Sequence, residues 1–330
     1  MKTVVTGGNG FICSHLVKKL LSEGRDVIVA DITPRYNGDK LSGLGIKVGD
    51  VEFRQVELID FDQAMKAVKG AESVFHMAAR VGSLQYLHAN ESVELMTMQN
   101  NLVIDANVFN ACIKNNVQSI VYASSVAIYD MARQFSPGAV YSEDEFIVRP
   151  GMPYPTINPD GGYGWAKLMG EVELSWMKNI KIGIARIFNI YGINEPIDEK
   201  AHAIGDLMRR AILNPGGDFV VFGDGKQTRD YLHVTDCAAA LVKLEAKANL
   251  SPVTVNIGSG QATSIKTVAE KVVGISGKKF KMIFDITKPV GPISRTADIT
   301  QAKALLGWQP KISLDEGLKN TYTWIEQKLV

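Results

Sequence analysis

The fold is decided by the stretch KTVVTGGNGFICSHL, which occupies residues 2–16. A short β-branched strand ends there in a glycine cluster, and an amphipathic helix follows at once. Gly7 and Gly8 can adopt backbone angles closed to other residues, and Gly10 leaves room for a diphosphate beside the backbone. The free N–H groups and the dipole of the following helix favour an anion at the same place. This layout predicts a dinucleotide-binding turn.

Two further residues refine that prediction. The next strand, 26–30, ends at Asp31, about 20 residues after the glycines, where a carboxylate suits the two ribose hydroxyls of an adenosine. A carboxylate there would repel a 2′-phosphate, so we expect NAD rather than NADP; the alternative is an acid on a surface loop. Cys13 stands where such turns often carry a third glycine. We expect it to be a small buried residue and not a nucleophile.

Composition limits the class of protein. The 330 residues contain 36 Lys plus Arg and 35 Asp plus Glu, a net charge of +1, which indicates neither nucleic acid nor an anionic membrane as a partner. The three cysteines are few and far apart, which fits a reducing compartment and a cytoplasmic location. No apolar stretch is long enough to span a bilayer, and a strand begins at once, so we expect no signal peptide. We expect no metal site.

Strand-like and helix-like segments alternate through the first half of the chain. This alternation predicts βαβ units and an α/β fold with a doubly wound, parallel, Rossmann-type sheet. The predicted strands are 2–6, 26–30, 51–57, 72–77, 118–124 and 181–190, and the predicted helices include 61–69, 91–114 and 315–328. Ligands of such sheets bind beyond the carboxyl ends of the strands.

Residues suited to catalysis follow two strand ends. Ala78 and Ala79 are small enough to let a cofactor lie close, and Ser124 and Ser125 aim two hydroxyls at the crevice. Farther on, Tyr163 and Lys167 lie four residues apart, on one face of a predicted helix. A neighbouring ammonium and the positive charge of an oxidised nicotinamide would both lower the pKa of the phenol and make it a usable base.

Taken together, these motifs resemble the extended short-chain dehydrogenase/reductases of the nucleotide-sugar epimerase and dehydratase family. The matching stretches are TGGNGFI (6–12), HMAA (76–79), SSVAIY (124–129), YGWAK (163–167), RIFNIYG (186–192), GDGKQTRDY (223–231), NIGSG (256–260) and LGWQP (306–310). The resemblance implies an NAD-binding Rossmann domain at 1–190 plus about 230–260. It implies a smaller, mostly C-terminal α/β domain for a nucleotide sugar at about 191–229 and 261–330.

The resemblance also implies a role for individual residues. Ser125, Tyr163 and Lys167 match the family's catalytic trio, and the last two also contact the cofactor. Positions that match NAD contacts are Gly7, Gly10, Phe11, Ile12, Asp31, Leu58, Ala78 and Ala79. Positions that match contacts to the sugar nucleotide are Ser124, Asn189, Lys200, Arg229 and Arg295. Without the resemblance, the two arginines would be taken for solvated loop residues.

Two residues that follow the predicted catalytic serine limit which reaction of this family the protein can catalyse. Dehydratases and decarboxylases of this group place acids there, whereas this chain has Val126 and Ala127, which cannot transfer protons. Several stretches look most similar to the GDP-mannose 3,5-epimerases, in which a lysine at the position of Lys200 is a partner acid/base. The opposing cysteine of that family is replaced by Ala127, so we favour inversion at C4 over epimerisation at C3 and C5. His202 is a second candidate for the same pocket.

Other interpretations stay open. One is a non-catalytic NAD-sensing protein on the same fold, and another is a net oxidoreductase that releases a 4-keto product. The resemblance further implies a homodimer in which helices 91–114 and 163–178 form a four-helix bundle.

Overall fold

The computed structural model describes residues 1–36, 39–82, 89–145, 157–198, 201–288 and 290–330. Its strands, in chain order, are β1 (Lys2–Thr6), β2 (Asp26–Asp31), β3 (Glu52–Gln55), β4 (Ser73–His76), β5 (Ser119–Ser125), β6 (Val140–Tyr141), β7 (Lys181–Ile187), β8 (Asn189–Tyr191), β9 (Gly217–Phe222), β10 (Thr228–His233), β11 (Val253–Ile257), β12 (Ala262–Ser264), β13 (Phe280–Asp285) and β14 (Ser294–Ala297). Its α-helices are α1 (Phe11–Ser22), α2 (Lys40–Gly43), α3 (Phe61–Val68), α4 (Glu91–Lys114), α5 (Met131–Gln134), α6 (Gly161–Trp176), α7 (Ala203–Leu213), α8 (Val234–Glu245), α9 (Ile265–Ser276), α10 (Thr300–Leu306) and α11 (Leu314–Leu329).

The main sheet confirms the predicted α/β fold. Seven strands run in the order β11-β7-β5-β4-β1-β2-β3, and every neighbouring pair is parallel. The chain moves outward from β1 in one direction through β2 and β3, and in the other through β4 and β5. The strand order therefore reverses between β1 and β4, and a ligand crevice is expected beyond their carboxyl ends.

The predicted elements agree closely with this structure, apart from one strand. Helix α4 has the predicted bounds, and Gly24, with φ +74°, follows the end of α1 as expected of a C-terminal glycine. The segment 181–190, predicted as one strand, is divided at Phe188. Its first part, β7, stays in the main sheet, whereas β8 pairs with β10 in another sheet.

Smaller sheets cover the carboxyl ends of the main sheet. One runs in the order β12-β10-β14-β6, and β9 and β13 form a separate parallel pair. Helices α7, α9 and α11 bury their apolar faces with this pair in a separate core cluster, which includes Leu318, Tyr322 and Ile325. Ala302, Leu306 and Trp308 instead pack into the core of the main sheet. They do so although they lie within 261–330, the segment that the sequence assigns to the smaller domain.

Among the described residues, no helix is both long enough and apolar enough to cross a bilayer.

Candidate active site

A cleft of about 1600 Å³ opens at the carboxyl ends of the main sheet. The predicted site residues that line it are Gly7, Gly10, Phe11, Ile12, Asp31, Leu58, Ala78, Ala79, Ser124, Ser125, Tyr163, Lys167, Asn189, Arg229 and Arg295. Lys200 lies outside the described residues. Pockets for a single small ligand usually measure about 300–1,000 Å³, so this cleft has room for a dinucleotide and a second ligand together.

A different structural feature requires glycine at each of three positions in the first turn. Gly7 has φ +67°, and a Cβ there would lie 3.1 Å from the Ala78 Cα. The prediction for Gly8 was wrong: its φ is not positive, and a side chain is excluded because a Cβ would lie 2.7 Å from the Val29 Cγ1. At Gly10, a Cβ would meet the Gly7 carbonyl oxygen at 2.9 Å. The turn therefore has no room for a side chain at these positions, because Ala78, Val29 and its own backbone lie against it.

The residues around this turn fit NAD. Gly10 is the N-cap of α1 and provides no side-chain cap, so the first N–H groups of the helix remain available to a diphosphate. At the tip of β2, the Asp31 carboxylate accepts the N–H groups of Asn9 (2.9 Å) and Thr33 (2.8 Å), which holds it at the cleft wall. Cys13 is buried as predicted, and burial raises the pKa of its thiol far above the usual value.

The end of β4 is held in place by residues of two other elements. The Thr6 hydroxyl oxygen accepts the N–H groups of Met77 (3.0 Å) and Ala78 (3.1 Å). From α4, the Asn101 side chain accepts the Arg80 N–H at 2.7 Å and donates to the Arg80 carbonyl at 3.0 Å. Asn101 was not among the predicted site residues. In the structure its amide fixes the loop that lines the cofactor side of the cleft.

Two glycines on either side of Tyr163 let α6 begin close to its neighbours. A Cβ at Gly162 would lie 2.6 Å from the Glu94 carbonyl oxygen, and a Cβ at Gly164 would collide with the Ala127 carbonyl oxygen. This approach brings the phenol to Ser125, whose side chain forms a hydrogen bond with it and favours the phenolate. The GGYG stretch thus positions the base against the end of β5.

The structure corrects the expected titration of Tyr163. Burial raises the pKa of its phenol to about 12, although the Ser125 hydrogen bond opposes the rise, and the Asp105 charge adds to it. The prediction was that the Lys167 ammonium and the nicotinamide charge would lower the pKa of this phenol. In the protein chain alone, the pKa stays above its ordinary value, so the ammonium by itself does not produce the predicted fall. A positive charge from a bound ligand is needed to bring the pKa toward neutrality.

Lys167 is buried, with 1% of its surface exposed, and its ammonium lies over the Tyr122 ring, 4.6 Å from the ring centroid. Burial lowers the pKa of this amine, and the Asp105 carboxylate opposes that change. The sequence prediction of the Tyr-Lys pair did not include either neighbour.

Ser124 does not present a free hydroxyl, although it lines the cleft. Its hydroxyl donates to the Glu171 carboxylate at 2.5 Å, and the same carboxylate forms an ion pair with Arg186 at 2.9 Å. All three side chains are buried. The Ser124 hydroxyl therefore has a structural partner, and strand alternation turns this residue away from Ser125. Its role in substrate binding stays a prediction.

Three further predicted substrate residues also line the cleft. The buried Asn189 side-chain oxygen has no hydrogen-bond partner among the described residues. Among the described residues, Arg229 donates only to the carbonyl oxygens of Thr228 (2.8 Å) and Val290 (3.2 Å), and burial lowers its pKa to about 10. Arg295 pairs with Asp160.

The region next to Lys200 contains a further ionisable pair. His202 lines the cleft, and its Nδ1 lies 3.4 Å from the buried Glu195 carboxylate, which raises the pKa of the imidazole. Val126 and Ala127, by contrast, are buried cleft-lining residues that offer no proton. Sequence reasoning missed Glu195, because an isolated loop glutamate carries no motif.

Comparison with known proteins agrees with this arrangement. Residues 3–258 match the model of the NAD dependent epimerase/dehydratase family. The chain is 32% identical to GDP-mannose 3,5-epimerase of Arabidopsis thaliana over all of this chain and 83% of that protein. Its structure is similar to UDP-glucose 4-epimerase of Thermotoga maritima (TM-score 0.84, 25% identity, all of both chains). It is also similar to UDP-glucuronic acid 4-epimerase of Bacillus cereus, solved with UDP-glucuronic acid and NAD (TM-score 0.82, 27% identity, 99% and 100% of the two chains).

The family match covers most of the chain, and the cofactor is NAD. The dinucleotide turn, the Ser-Tyr-Lys arrangement and these relatives all lead to the same conclusion. The chain belongs to the NAD dependent epimerase/dehydratase family, and the relatives named above act on nucleotide sugars.

Proposed function

We propose that this protein is a nucleotide-sugar epimerase that works through a transient 4-keto sugar and inverts C4, as in the interconversion of UDP-glucose and UDP-galactose. One observation carries the proposal. Ser125, Tyr163 and Lys167 converge on one wall of the cleft, while Val126 and Ala127 supply no second proton-transfer group. A reaction that needs only one base, at one oxygen, fits this set of side chains.

Each residue of the trio has a distinct role. Tyr163 takes the proton of the sugar 4-hydroxyl, and Ser125 holds that oxygen in position through its own hydroxyl. The Lys167 ammonium favours the phenolate electrostatically, because opposite charges in a buried site interact strongly. When bound, NAD supplies the acceptor for the hydride of C4 and returns it, so no net oxidation occurs. The ketone must turn over before reduction, and the volume of the cleft permits that movement.

The part of the cleft that carries Arg229 suits a diphosphate. Arg229 is a buried cation that forms no ion pair with a carboxylate in the described part of the chain. A guanidinium in this position can donate two parallel hydrogen bonds to phosphate oxygens. Arg295 contributes a second positive charge, and the unpartnered Asn189 oxygen can accept a sugar or ribose hydroxyl.

Epimerisation at C3 and C5 is the second candidate, favoured by the 32% identity to a GDP-mannose 3,5-epimerase. That reaction needs an acid and a base on opposite faces of the sugar ring. Ala127 cannot be one of them, and His202 with Glu195 is the pair in the described part of the cleft that could supply the other.

Incubation with UDP- and GDP-sugars in deuterated water distinguishes the two reactions. Inversion at C4 by internal return of the hydride gives product without deuterium at C3 or C5, which is the expected result. Deuterium at either carbon would establish enolisation and overturn the C4 proposal. Accumulation of NADH would indicate a net oxidoreductase instead.

Tyr163→Phe is the matched control. It should abolish turnover and leave NAD bound, because the phenyl ring fills the same space without a proton to exchange. A variant with full biological activity would favour the non-catalytic sensor.

We also propose a homodimer formed through α4 and α6. Five large apolar side chains on these two helices are exposed, namely Leu95, Met96, Val103, Ile113 and Trp176. Their burial in a four-helix bundle would remove apolar surface from water. Light scattering with Val103→Glu as the disrupting variant tests this: a monomeric wild-type protein would overturn it.

A further inference from the structure

A buried polar cluster lies directly behind the catalytic lysine. Its members come from five different elements and are each at most 2% exposed: Thr6, His76, Asp105, Tyr122 and Lys167. The Asp105 carboxylate, on α4, accepts hydrogen bonds from His76 Nε2 at 2.9 Å and from the Tyr122 hydroxyl at 2.5 Å. The Tyr122 ring lies under the Lys167 ammonium, 4.6 Å from it.

The protonation state of His76 follows from its neighbours. The Thr6 hydroxyl oxygen already accepts two backbone N–H groups, so its own proton points to His76 Nδ1, 2.9 Å away. His76 therefore carries its proton on Nε2 and donates it to Asp105. Burial lowers the pKa of this imidazole, which keeps it neutral. His76 and Tyr122 thus supply hydrogen bonds but no positive charge.

Lys167 is consequently the group that balances the charge of Asp105. The Lys167 charge lowers the pKa of the Asp105 carboxyl, and the Asp105 charge opposes the effect of burial on the Lys167 amine. The Lys167 charge also acts on His76, where it adds to the effect of burial in lowering the pKa of the imidazole. The packing is close: at Gly170 on α6, a Cβ would lie 2.9 Å from Asp105 Oδ2.

We propose that Asp105 is a positioning residue for the reaction: its carboxylate holds the Lys167 side chain as an ammonium, seated on the Tyr122 ring. This inference rests on the proposed function only for the catalytic role of Lys167. It adds a residue of α4 to the determinants of the active-site charge. Through His76 and Thr6, the same cluster reaches the backbone of Met77 and Ala78, which lies on the cofactor side of the cleft.

Asp105 acts on Tyr163 in two opposing ways. Directly, its negative charge raises the pKa of the phenol. Indirectly, it keeps Lys167 charged, and that positive charge favours the phenolate. Asp105→Asn separates the two effects, because it keeps the shape and removes the charge.

The first test is the pH profile of kcat for wild type and Asp105→Asn. We expect the alkaline limb, which reports loss of the Lys167 proton, to move to lower pH by about one to three pH units in the variant. Glu173→Gln is the matched control: it removes a carboxylate of α6 that the Asp105 charge also affects and that is not a partner of Lys167. Its profile should equal that of wild type. An unchanged Asp105→Asn profile, or a shift of the acid limb alone toward lower pH, would overturn the inference.

A thermal-unfolding cycle tests the same pair without any turnover. Asp105→Asn should lower Tm when Lys167 is present, because it leaves the buried ammonium without its counter-charge. In the Lys167→Met background the same change should raise Tm, because it removes a buried carboxylate that no longer has a cation.

Equal losses of Tm in both backgrounds would show a merely structural Asp105 and overturn the inference. If the single variant Asp105→Asn fails to fold, the Tm of Lys167→Met can still be compared with that of the double variant. A rise in Tm on adding Asp105→Asn supports the inference, and a fall contradicts it. A sign reversal in a protein that turns over no nucleotide sugar would refute the proposed function and leave this inference intact.

Discussion

Replacing Arg229 by methionine should stabilise the ligand-free protein and weaken its response to nucleotide sugars. The guanidinium is 6% exposed and, within the part of the chain that the structure describes, donates only to two backbone carbonyls. Its pKa falls from 12.5 to about 10, chiefly because burial disfavours the charge. This cost is present at every pH below 10, since the side chain is charged in both the folded and the unfolded state there.

The magnitude follows from two opposing contributions. A fall in pKa from 12.5 to about 10 corresponds to roughly 3 kcal/mol, at about 1.4 kcal/mol per unit of pKa. Removing the donor from the carbonyls of Thr228 and Val290 costs about 1 kcal/mol each. The free energy of unfolding should therefore rise by about 1 kcal/mol, and Tm by about 2 °C.

The assay is thermal unfolding with and without a saturating UDP- or GDP-sugar. A lost charge-assisted hydrogen bond to a diphosphate is worth about 2 kcal/mol, so the Kd should rise about 30-fold. Arg295→Met is the matched control, because Arg295 is equally buried but pairs with Asp160. Breaking that pair should lower the stability by about 3 kcal/mol or more. Equal destabilisation by both variants, or an unchanged ligand response in Arg229→Met, would refute the reasoning.

Three further predictions concern packing, the cofactor and pH. Gly170→Ala should destabilise the protein by about 1–3 kcal/mol, because the new Cβ would lie 2.6 Å from the Tyr122 Cζ. Gly274→Ala is the control and should be neutral or stabilising, because a Cβ at this helical position would have no atom within 4 Å. Equal effects of the two variants in denaturant titrations would contradict this prediction. Asp31→Ser should shift the ratio of Kd values toward NADP by about tenfold, since the carboxylate that repels a 2′-phosphate is gone; an unchanged ratio by calorimetry would place the ribose elsewhere. Burial raises the pKa of Tyr163 to about 12, so little of this phenol should be ionised at pH 10. The difference in tyrosinate absorbance between wild type and Tyr163→Phe should therefore be negligible at pH 10 and rise when NAD is added. A full signal without NAD would show a solvated phenol.

Local sequence signals predicted the main elements because the responsible interactions are themselves local. Helix α4 carries its N-cap Asn90 and ends at Asn115, so its bounds depend on residues within and next to it. The strands of the main sheet are short apolar runs between turn residues. The exception, the division of 181–190 at Phe188, depends on β10, a partner about 40 residues later in the chain.

The candidate site was predictable only in part, for the same reason. Gly7, Asp31, Tyr163 and Lys167 stand at fixed distances from strand and helix ends, so a motif identifies them. Ser124 is adjacent to Ser125 in sequence, but its hydroxyl is bound by Glu171, 47 residues away. No spacing rule connects those two residues.

The sequence by itself determined the parallel sheet and the dinucleotide turn and predicted the catalytic trio, since each depends on residue type and short-range spacing. Only the tertiary structure decided the electrostatics of the site. Burial raises the pKa of Tyr163, and Asp105, 62 residues from Lys167 in the chain, supplies the counter-charge of the ammonium. The physical reason is that pKa values depend on desolvation and on charges nearby in space, and both arise only when distant segments pack together.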